Sequence, residues 1–279
     1  MHSSKHLDIA IVGGGIGGLA LAHCLSHVGI PYTLYEKAPQ FGEVGAGIGL
    51  SESTYAILKN VGLGSDIEQH GCFVRDAIIV NKRARVIRKI PIQNGGFCIH
   101  RAELIRILSK RILPAQVRLG RELSDFTDDK DGVELQFKNG ENAHHDWVFA
   151  CDGIHSLFRK RLFPSVRKRY SGQSIWRGIA TCTLPPAYQS AYLEFWGDNL
   201  RFGIIPLNSE QYYWYACKTA QQGEQDDPTT LRATLKHLYR NYAPEIVQAI
   251  DRTDHFIRND MFDLLPHHEP WHKDRIVFL

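Results

Sequence analysis

The sequence has little net charge, few cysteines and no long hydrophobic run. Its 33 basic and 30 acidic side chains leave a formal charge of +3 with histidine neutral, too little to indicate a polyanionic partner such as nucleic acid. The six cysteines include no C-x-x-C pair, which indicates reduced thiols in a cytoplasmic protein rather than a disulfide framework. With 279 residues, 43% of them hydrophobic and 23% charged, the chain is typical of a globular protein of roughly two domains.

The sequence predicts neither a membrane-spanning segment nor a cleaved leader. The most apolar stretch near the start, residues 9–25, is interrupted by five glycines and lacks a small-residue cleavage pattern. It is also too short to cross a bilayer. We therefore expect a cytoplasmic protein without a membrane partner.

A glycine-rich segment near the start carries the clearest motif. The apolar run Ile9–Val12 predicts a parallel strand buried on both faces, and it leads directly into G-x-G-x-x-G at Gly13, Gly15 and Gly18. A helical pattern follows, and then a second predicted strand ends on Glu36, 18 residues beyond the last glycine. This order of strand, glycine turn, helix, strand and acid is typical of a βαβ dinucleotide-binding unit.

Each residue type in this motif has a physical role. We expect Gly13 to form the tight turn, Gly15 to let a pyrophosphate approach the backbone, and Gly18 to let helix and strand pack closely. The amino end of the helix offers N–H groups and a positive dipole end to phosphate, and Glu36 can accept hydrogen bonds from ribose hydroxyls. NAD and FAD both fit such a unit, whereas an acid at this position disfavours the 2′-phosphate of NADP.

Two further segments narrow the choice of cofactor. One is a glycine-rich loop at 42–49, and the other, at 149–159, follows an apolar strand and contains the Asp152-Gly153 pair. Together with the first motif they resemble the FAD-dependent aromatic hydroxylases, the single-component flavoprotein monooxygenases that include salicylate, hydroxybenzoate and urate hydroxylases. Weaker similarity to this family runs through the rest of the chain.

The resemblance implies an FAD site. In the family, the pair at Asp152 contacts FAD and helps to accommodate the reduced nicotinamide cofactor, an arginine at the position of Arg101 reaches FAD, and the backbone at Leu123 contacts adenine. The implied FAD-binding residues are Gly13, Gly15, Ile16, Gly18, Glu36, Lys37, Gly47, Gly49, Arg101, Leu123, Asp152 and Gly153.

The resemblance also implies a reaction. In the family, NAD(P)H reduces FAD and leaves, and the reduced flavin traps O₂ as a C4a-hydroperoxide that delivers oxygen to a small aromatic or heteroaromatic substrate. Arg201 and Tyr213 lie where urate-hydroxylating members have a substrate-anchoring arginine and a substrate-facing tyrosine, and they are the candidate catalytic residues. A cation there stabilises an anionic ring. The alternative is that Arg201 is solvated and Tyr213 only packs.

The sequence departs from the family pattern at its end. In the family, a strand such as 276–279 is followed by a Gly-Asp pair that binds the ribityl chain and pyrophosphate, whereas this sequence stops on the strand. Because a buried strand needs neighbours on both faces, we expect the sequence to be truncated. Two alternatives stay open, a flavin-dependent reductase of the same fold and a catalytically inactive FAD- or nucleotide-binding fragment. Homodimerisation is also left open.

The remaining patterns predict an α/β fold. We expect a Rossmann-like FAD-binding domain, with a parallel sheet and a β-meander, plus a second domain with a large antiparallel sheet flanked by helices. The expected boundaries are 1–73, 96–171 and 255–279 for the FAD-binding domain and 74–95 and 172–254 for the substrate domain. The predicted elements are helices over 51–61, 103–113 and after Pro228 and Pro244, a hairpin of 74–80 with 85–90, a meander within 117–149, and strands at 193–196, 201–207 and 212–215.

Other functional patterns are weaker than the FAD motifs. His23 and His27 are spaced for one face of a helix, but the glutamate of H-E-x-x-H is missing, so no metal site is expected. The basic clusters at 159–161 and 167–169 predict a solvated face rather than a nucleic-acid site. The sequence also has no G-x-S-x-G motif of an α/β-hydrolase.

Overall fold

The computed structural model describes residues 7–42 and 46–279. The strands are β1 (Ile9–Val12), β2 (Tyr32–Glu36), β3 (Gly47–Leu50), β4 (Cys72–Asn81), β5 (Val86–His100), β6 (Val117–Leu119), β7 (Leu123–Asp128), β8 (Val133–Phe137), β9 (Asn142–His145), β10 (Trp147–Ala150), β11 (Lys168–Thr181), β12 (Ala191–Gly197), β13 (Leu200–Pro206), β14 (Gln211–Thr219), β15 (Ile257–Leu264), β16 (His272–Lys273) and β17 (Ile276–Phe278). The helices are α1 (Ile16–His27), α2 (Glu52–Asn60), α3 (Gly64–His70), α4 (Arg101–Lys110), α5 (Leu157–Leu162), α6 (Leu231–Leu238) and α7 (Pro244–Asp251).

The chain divides into two compact units. The first comprises Met1–Gly42, Ile105–Arg169 and Asp263–Leu279, and the second comprises Glu43–Leu104 and Tyr170–Phe262. These bounds differ from the expected domains at 43–73, 96–104, 170–171 and 255–262. The first two segments lie in the second unit because β3 pairs with the end of β5 and because α2 and α3 pack against β5, and most of the last segment lies there because β15 is next to β11 in the same sheet. The assignment of FAD binding to one unit and substrate binding to the other stays a prediction.

The first unit is built around a sheet of six strands in the order β16-β17-β10-β1-β2-β6. β1 pairs in parallel with both β2 and β10, and all four of its residues are buried. The carboxyl ends of these three parallel strands therefore lie along one edge, which is where ligands bind in open α/β sheets. The predicted meander forms a separate antiparallel sheet of β7, β8 and β9.

The second unit contains a sheet of eight strands in the order β15-β11-β14-β13-β12-β4-β5-β3. β11, β14, β13 and β12 follow one another in antiparallel pairs, and β12 pairs in parallel with β4. Helices α6 and α7 cover one face of this sheet, where Trp214, Leu235 and Ile246 are fully or almost fully buried. The ring of Phe202 stacks on Trp214 at a centroid distance of 5.1 Å.

The α/β class, with a parallel sheet and a separate large antiparallel sheet, is confirmed by the structure. Helix α2 begins after Ser51, whose hydroxyl accepts a hydrogen bond from the amide of Thr54 at 3.3 Å. Strand β5 runs well beyond the predicted 85–90, because its last residues pair with β3. Helix α6 begins at Leu231 instead of directly after Pro228, because Asp227 holds the intervening residues in a turn.

Replacement of Thr253 by valine should lower the free energy of unfolding by about 1–3 kcal/mol. Thr253 is fully buried, accepts a hydrogen bond from Trp214 Nε1 at 2.7 Å and donates one to the carbonyl of Ala249 at 2.7 Å. Valine has nearly the same volume but leaves the buried indole N–H without an acceptor. Urea denaturation measures the loss, and the exposed Thr234→Val variant on α6 is the matched control, for which little change is expected.

Candidate functional site

The glycine turn between β1 and α1 is closely packed at two positions. Gly13 has a φ of 115°, and a Cβ atom built on it would lie 2.2 Å from the carbonyl oxygen of Cys151, which follows β10. A Cβ atom on Gly18 would lie 1.9 Å from the carbonyl oxygen of Gly13. Both positions therefore require glycine, because any side chain would force the turn away from the end of β10.

The same turn is open at its other glycines. A Cβ atom on Gly15 or Gly17 would meet no heavy atom of the described chain within 4 Å beyond its neighbours in the helix. Helix α1 begins without a side-chain hydrogen bond to its first amides and without an acidic residue in its first turn. The first N–H groups of a helix have no acceptor within it, and they lie at the positive end of its dipole. This arrangement is suited to a phosphate group.

The Glu36 carboxylate faces this turn from the end of β2. Its Oε2 accepts a hydrogen bond from the amide of Gly14 at 2.6 Å, and its Oε1 accepts one from the amide of Ala38 at 2.8 Å. A carboxylate oxygen can accept a second hydrogen bond, so both oxygens retain capacity for the hydroxyls of a ligand. The acid is held beside the glycine turn, which is the placement that ribose recognition needs.

Asp152 follows β10 at the same edge of the sheet. Its Oδ2 accepts a hydrogen bond from the amide of Leu157 at 2.8 Å, while its buried Oδ1 has no hydrogen-bond partner in the described chain. Buried carboxylate oxygens are normally satisfied, so this atom indicates a donor supplied by a ligand. The side chain of Arg159 holds the adjoining turn, because its Nη2 donates to the carbonyl of Ile154 at 2.6 Å and its Nη1 to that of Gly153 at 3.3 Å.

The residues of the first unit therefore fit the ADP part of a dinucleotide such as FAD. An open helix terminus, a carboxylate with spare acceptor capacity and an unsatisfied buried oxygen all follow the carboxyl ends of β1, β2 and β10. Three other predicted FAD residues lie in the same unit: Ile16 opens α1, the exposed Lys37 follows β2, and Leu123 opens β7.

Gly47 and Gly49 lie in β3, in the second unit. A Cβ atom on Gly47 would lie 2.6 Å from Cβ of Tyr213, and one on Gly49 would lie 2.4 Å from the hydroxyl oxygen of Tyr192. The absence of side chains at these positions thus gives two tyrosines of the same sheet room to pack. The preceding part of the predicted glycine loop, residues 43–45, lies outside the described residues.

Arg101 is half-buried at the start of α4. Its amide donates to the carbonyl of Ala46 at 2.8 Å, next to β3. Burial, and then the charge of Arg177, lower the pKa of its guanidinium. An arginine pKa starts high enough for the group to stay cationic at neutral pH, so the two arginines give this part of the unit positive charge.

Arg201 and Tyr213 lie on the face of the eight-stranded sheet opposite α6 and α7. Side chains alternate along a strand, and their neighbours Phe202 and Trp214 point into the core beneath those helices. Tyr213 is only 7% exposed, and burial raises the pKa of its phenol to about 12, with Arg177 partly opposing the rise. The structure thus places both predicted residues on one face, with Tyr213 buried and Arg201 partly exposed.

Sequence reasoning missed two further polar residues on this face, Glu194 and Tyr215. The Tyr215 hydroxyl donates to Glu194 Oε1 at 2.6 Å, and Arg201 Nη1 lies 3.9 Å from the same oxygen. The sequence could have placed them on a common face in part, because residues 194 and 196, and likewise 213 and 215, occupy alternate positions of predicted strands.

Comparison with known proteins decides the class of the chain. The FAD binding domain model matches residues 6–278. The chain belongs to this family. An aurachin C monooxygenase/isomerase from Stigmatella aurantiaca is 30% identical over 98% of this chain and 73% of its own length. A 3-amino-4-hydroxybenzoate 2-monooxygenase from Streptomyces platensis is 34% identical over 74% of this chain and 55% of its own length. An FAD-dependent urate hydroxylase from Klebsiella pneumoniae is 26% identical over 88% of this chain and 66% of its own length.

Several solved structures have the same fold as this chain. Klebsiella pneumoniae HpxO, in complex with FAD and uric acid, superimposes with a TM-score of 0.88 at 24% identity, over 99% of this chain and 72% of that one. The 2,6-dihydroxypyridine-3-hydroxylase from Arthrobacter nicotinovorans superimposes with a TM-score of 0.82 at 18% identity, over 99% of this chain and 77% of that one. At these identities the likeness is evidence for the fold alone.

Three predictions are confirmed by these comparisons. They are the membership of the FAD-dependent aromatic hydroxylase family, the α/β fold and FAD as the cofactor, whereas the monooxygenase activity and the use of NAD(P)H belong to the proposal below. The chain spans from about half to three quarters of the length of these curated relatives. The roles of individual site residues stay predictions.

The described residues also bear on the weaker sequence patterns. None of the helices in 7–42 and 46–279 has the length and apolar character needed to cross a bilayer. The same residues contain no group of three or more His, Cys, Asp or Glu side chains placed to hold a metal ion. His23 is buried, and its Nε2 donates to the carbonyl of Leu108 at 2.6 Å, so it packs α1 against α4.

Proposed function

We propose that this chain is the FAD- and substrate-binding part of a monooxygenase that inserts one oxygen atom of O₂ into a small aromatic or heteroaromatic compound, with NAD(P)H as the reductant. The observation that carries the proposal is the convergence of an open glycine turn, the Glu36 carboxylate and the unsatisfied Asp152 Oδ1 at one edge of the parallel sheet. The six free cysteines support a reducing, cytoplasmic location.

In this proposal the first unit holds the ADP part of FAD. The amides at the start of α1 bind the pyrophosphate, and Gly15 leaves the backbone accessible to it. Glu36 accepts hydrogen bonds from the ribose, and Asp152 Oδ1 accepts one from the cofactor. Bound FAD would supply the redox chemistry needed for electron transfer from NAD(P)H and for activation of O₂.

The open face of the eight-stranded sheet binds and orients the substrate in this proposal. Tyr213 stays protonated at neutral pH because burial raises its pKa to about 12, so its hydroxyl can donate a hydrogen bond to a substrate oxygen. Ile179 and Ile205 pack beside this tyrosine and offer a partly buried apolar surface to a ring. Arg201 adds a cationic donor at the same face.

Labelling with ¹⁸O₂ tests the proposed reaction. The FAD-loaded protein, supplied with NADH or NADPH, is incubated with urate and with 3-amino-4-hydroxybenzoate, the compounds named for two relatives, and the products are analysed by mass spectrometry. One labelled oxygen atom in an organic product is the expected result. Oxidation of NAD(P)H without label in any product supports the flavin reductase instead.

Flavin absorption tests the other alternative, an inactive fragment. The purified chain is mixed with excess FAD, freed of unbound cofactor by gel filtration, and examined in the visible range. The proposal expects the flavin bands to elute with the protein. Their absence at saturating FAD supports the inactive fragment.

Replacement of Arg201 by alanine should raise the substrate KM roughly tenfold, or uncouple NAD(P)H oxidation from product formation, while leaving the flavin content unchanged. The side chain is 42% exposed and its Nη2 donates to the neutral Gln173, so alanine should remove a substrate contact without disturbing the buried core. Steady-state kinetics with product quantification measure the effect. The exposed Arg83→Ala variant is the control, and equal kinetics in both variants would exclude Arg201 from the site.

A further inference from the structure

Glu194 and Arg201 form a charged cluster that the FAD chemistry does not explain. Glu194 Oε1 accepts a hydrogen bond from the Tyr215 hydroxyl at 2.6 Å, and its Oε2 accepts one from the indole N–H of Trp196. Arg201 Nη1 lies 3.9 Å from Glu194 Oε1, and Arg201 Nη2 donates to Gln173 Oε1 at 3.2 Å. All these side chains belong to the second unit.

Strand register places the cluster on one face of the sheet. Gly203 of β13 is paired with Glu194 of β12 on one side and with Tyr215 of β14 on the other. A Cβ atom on Gly203 would lie 2.1 Å from Cε1 of Tyr215. Because Gly203 has no side chain, the ring of Tyr215 can lie across β13 and reach Glu194. The hydrogen bond between Tyr215 and Glu194 therefore depends on all three residues.

Their contacts leave the Glu194 carboxylate available as a hydrogen-bond acceptor and the Arg201 guanidinium available as a donor. Burial, and then the hydrogen bond to Glu194, raise the pKa of Tyr215, so its hydroxyl stays protonated and continues to donate. The Glu194 side chain is 21% exposed and the Arg201 side chain 42% exposed, so a ligand can reach both. Their separation exceeds that of a close ion pair, and each retains hydrogen-bonding capacity.

We propose that Glu194 and Arg201 act together as a specificity pair that selects an uncharged lactam edge, with Glu194 accepting the ring N–H and Arg201 donating to the adjacent carbonyl oxygen. An anionic ring substituent gains attraction from Arg201 but meets repulsion from Glu194, so the pair gives an anion no net electrostatic advantage over a neutral lactam. The inference deepens the proposed function and rests on it, because it takes this face of the sheet as the substrate face.

Binding of three matched probes tests the pair. 2-Quinolone carries the lactam edge, N-methyl-2-quinolone lacks the N–H, and quinoline-2-carboxylate carries an anion. Isothermal titration calorimetry measures their affinities for the FAD-loaded wild type, for Glu194→Gln, and for Glu210→Gln, a control at an exposed glutamate of the same unit. The wild type and the control should bind 2-quinolone about tenfold more tightly than its N-methyl analogue, because a hydrogen bond to a carboxylate is lost.

Glu194→Gln should change both preferences. The preference for 2-quinolone over its N-methyl analogue should fall to an affinity ratio of about three, since a neutral acceptor forms a hydrogen bond about half as strong. Quinoline-2-carboxylate should bind about tenfold more tightly than it binds the wild type. Tyr215→Phe keeps the ring beside Gly203 but removes the hydroxyl that holds Glu194, so it should also lower the quinolone ratio. This second variant serves if Glu194→Gln does not fold.

The outcomes separate this inference from the proposed function. Unchanged ratios in both variants, or no binding of any probe to the FAD-loaded wild type, would overturn the specificity pair. FAD content is measured on the same samples by absorption. If the samples retain no FAD after loading but still show the expected affinity ratios, the proposed function is contradicted and the selectivity of the pair is supported.

Discussion

Gly18→Ala is expected to lower the free energy of unfolding by about 3 kcal/mol, the upper end of the cost of overpacking. The new Cβ atom would lie 1.9 Å from the carbonyl oxygen of Gly13 and 3.3 Å from Cβ of Cys151. The Gly13 carbonyl belongs to the backbone and cannot rotate away from the new Cβ atom, so α1 would have to shift away from β1 and β10. Urea denaturation without FAD measures the effect as a lower midpoint.

Gly17→Ala is the matched control one residue earlier. This glycine is exposed in α1, and a Cβ atom on it would meet no neighbour within 4 Å. Alanine is the better helix former, so the variant should unfold at the wild-type midpoint or above it, with a gain of up to about 1 kcal/mol. Equal destabilisation by the two substitutions would show that the close approach of α1 to the turn is not what requires Gly18.

Glu36→Ala is expected to weaken FAD binding by about 1–3 kcal/mol, which is a roughly five- to 150-fold rise in the dissociation constant. The carboxylate lies beside the turn and can accept the ribose hydroxyls, and a hydrogen bond to an ionised acceptor is stronger than one to a neutral group. Isothermal titration with FAD measures the change. Glu36→Gln retains one carbonyl acceptor, so its loss of affinity should lie between wild type and alanine.

A control separates this effect from a general loss of charge. Glu122 is an exposed acid of the first unit, directly before β7, and its carboxylate forms an ion pair with Lys138. Glu122→Ala should leave the FAD affinity unchanged within about twofold, since surface ion pairs contribute little. If Glu36→Ala binds FAD as tightly as Glu122→Ala does, the acid does not recognise the ribose.

The dinucleotide unit could be predicted from the sequence because its determinants are local. Gly13 and Gly18 are required by contacts within one strand–turn–helix segment and with the strand beside it, and the acid follows at a fixed distance along the chain. The alternation of residues also predicted β12, β13 and β14, since one face of each is buried beneath α6 and α7.

The substrate face could be predicted only in part, because it depends on strand register. Glu194 and Tyr215 meet across Gly203, and a register shifted by one residue would place them on opposite faces. The alternation of a single sequence does not specify that register. Gly47 is similar: the family resemblance implied an FAD-binding residue, while the structure shows in addition that Tyr213 is packed where a side chain at this position would lie.

FAD titration of Gly15→Ala tests the central claim most directly, which is that the cofactor's pyrophosphate lies against the backbone of the first glycine turn. Gly15 has a φ of −74°, which alanine adopts, and a Cβ atom on it meets nothing within 4 Å. The account predicts that FAD affinity falls by about tenfold or more, since the methyl group blocks the pyrophosphate, while the free energy of unfolding without FAD stays within about 0.5 kcal/mol of wild type. Equal FAD affinity in the two proteins would contradict it.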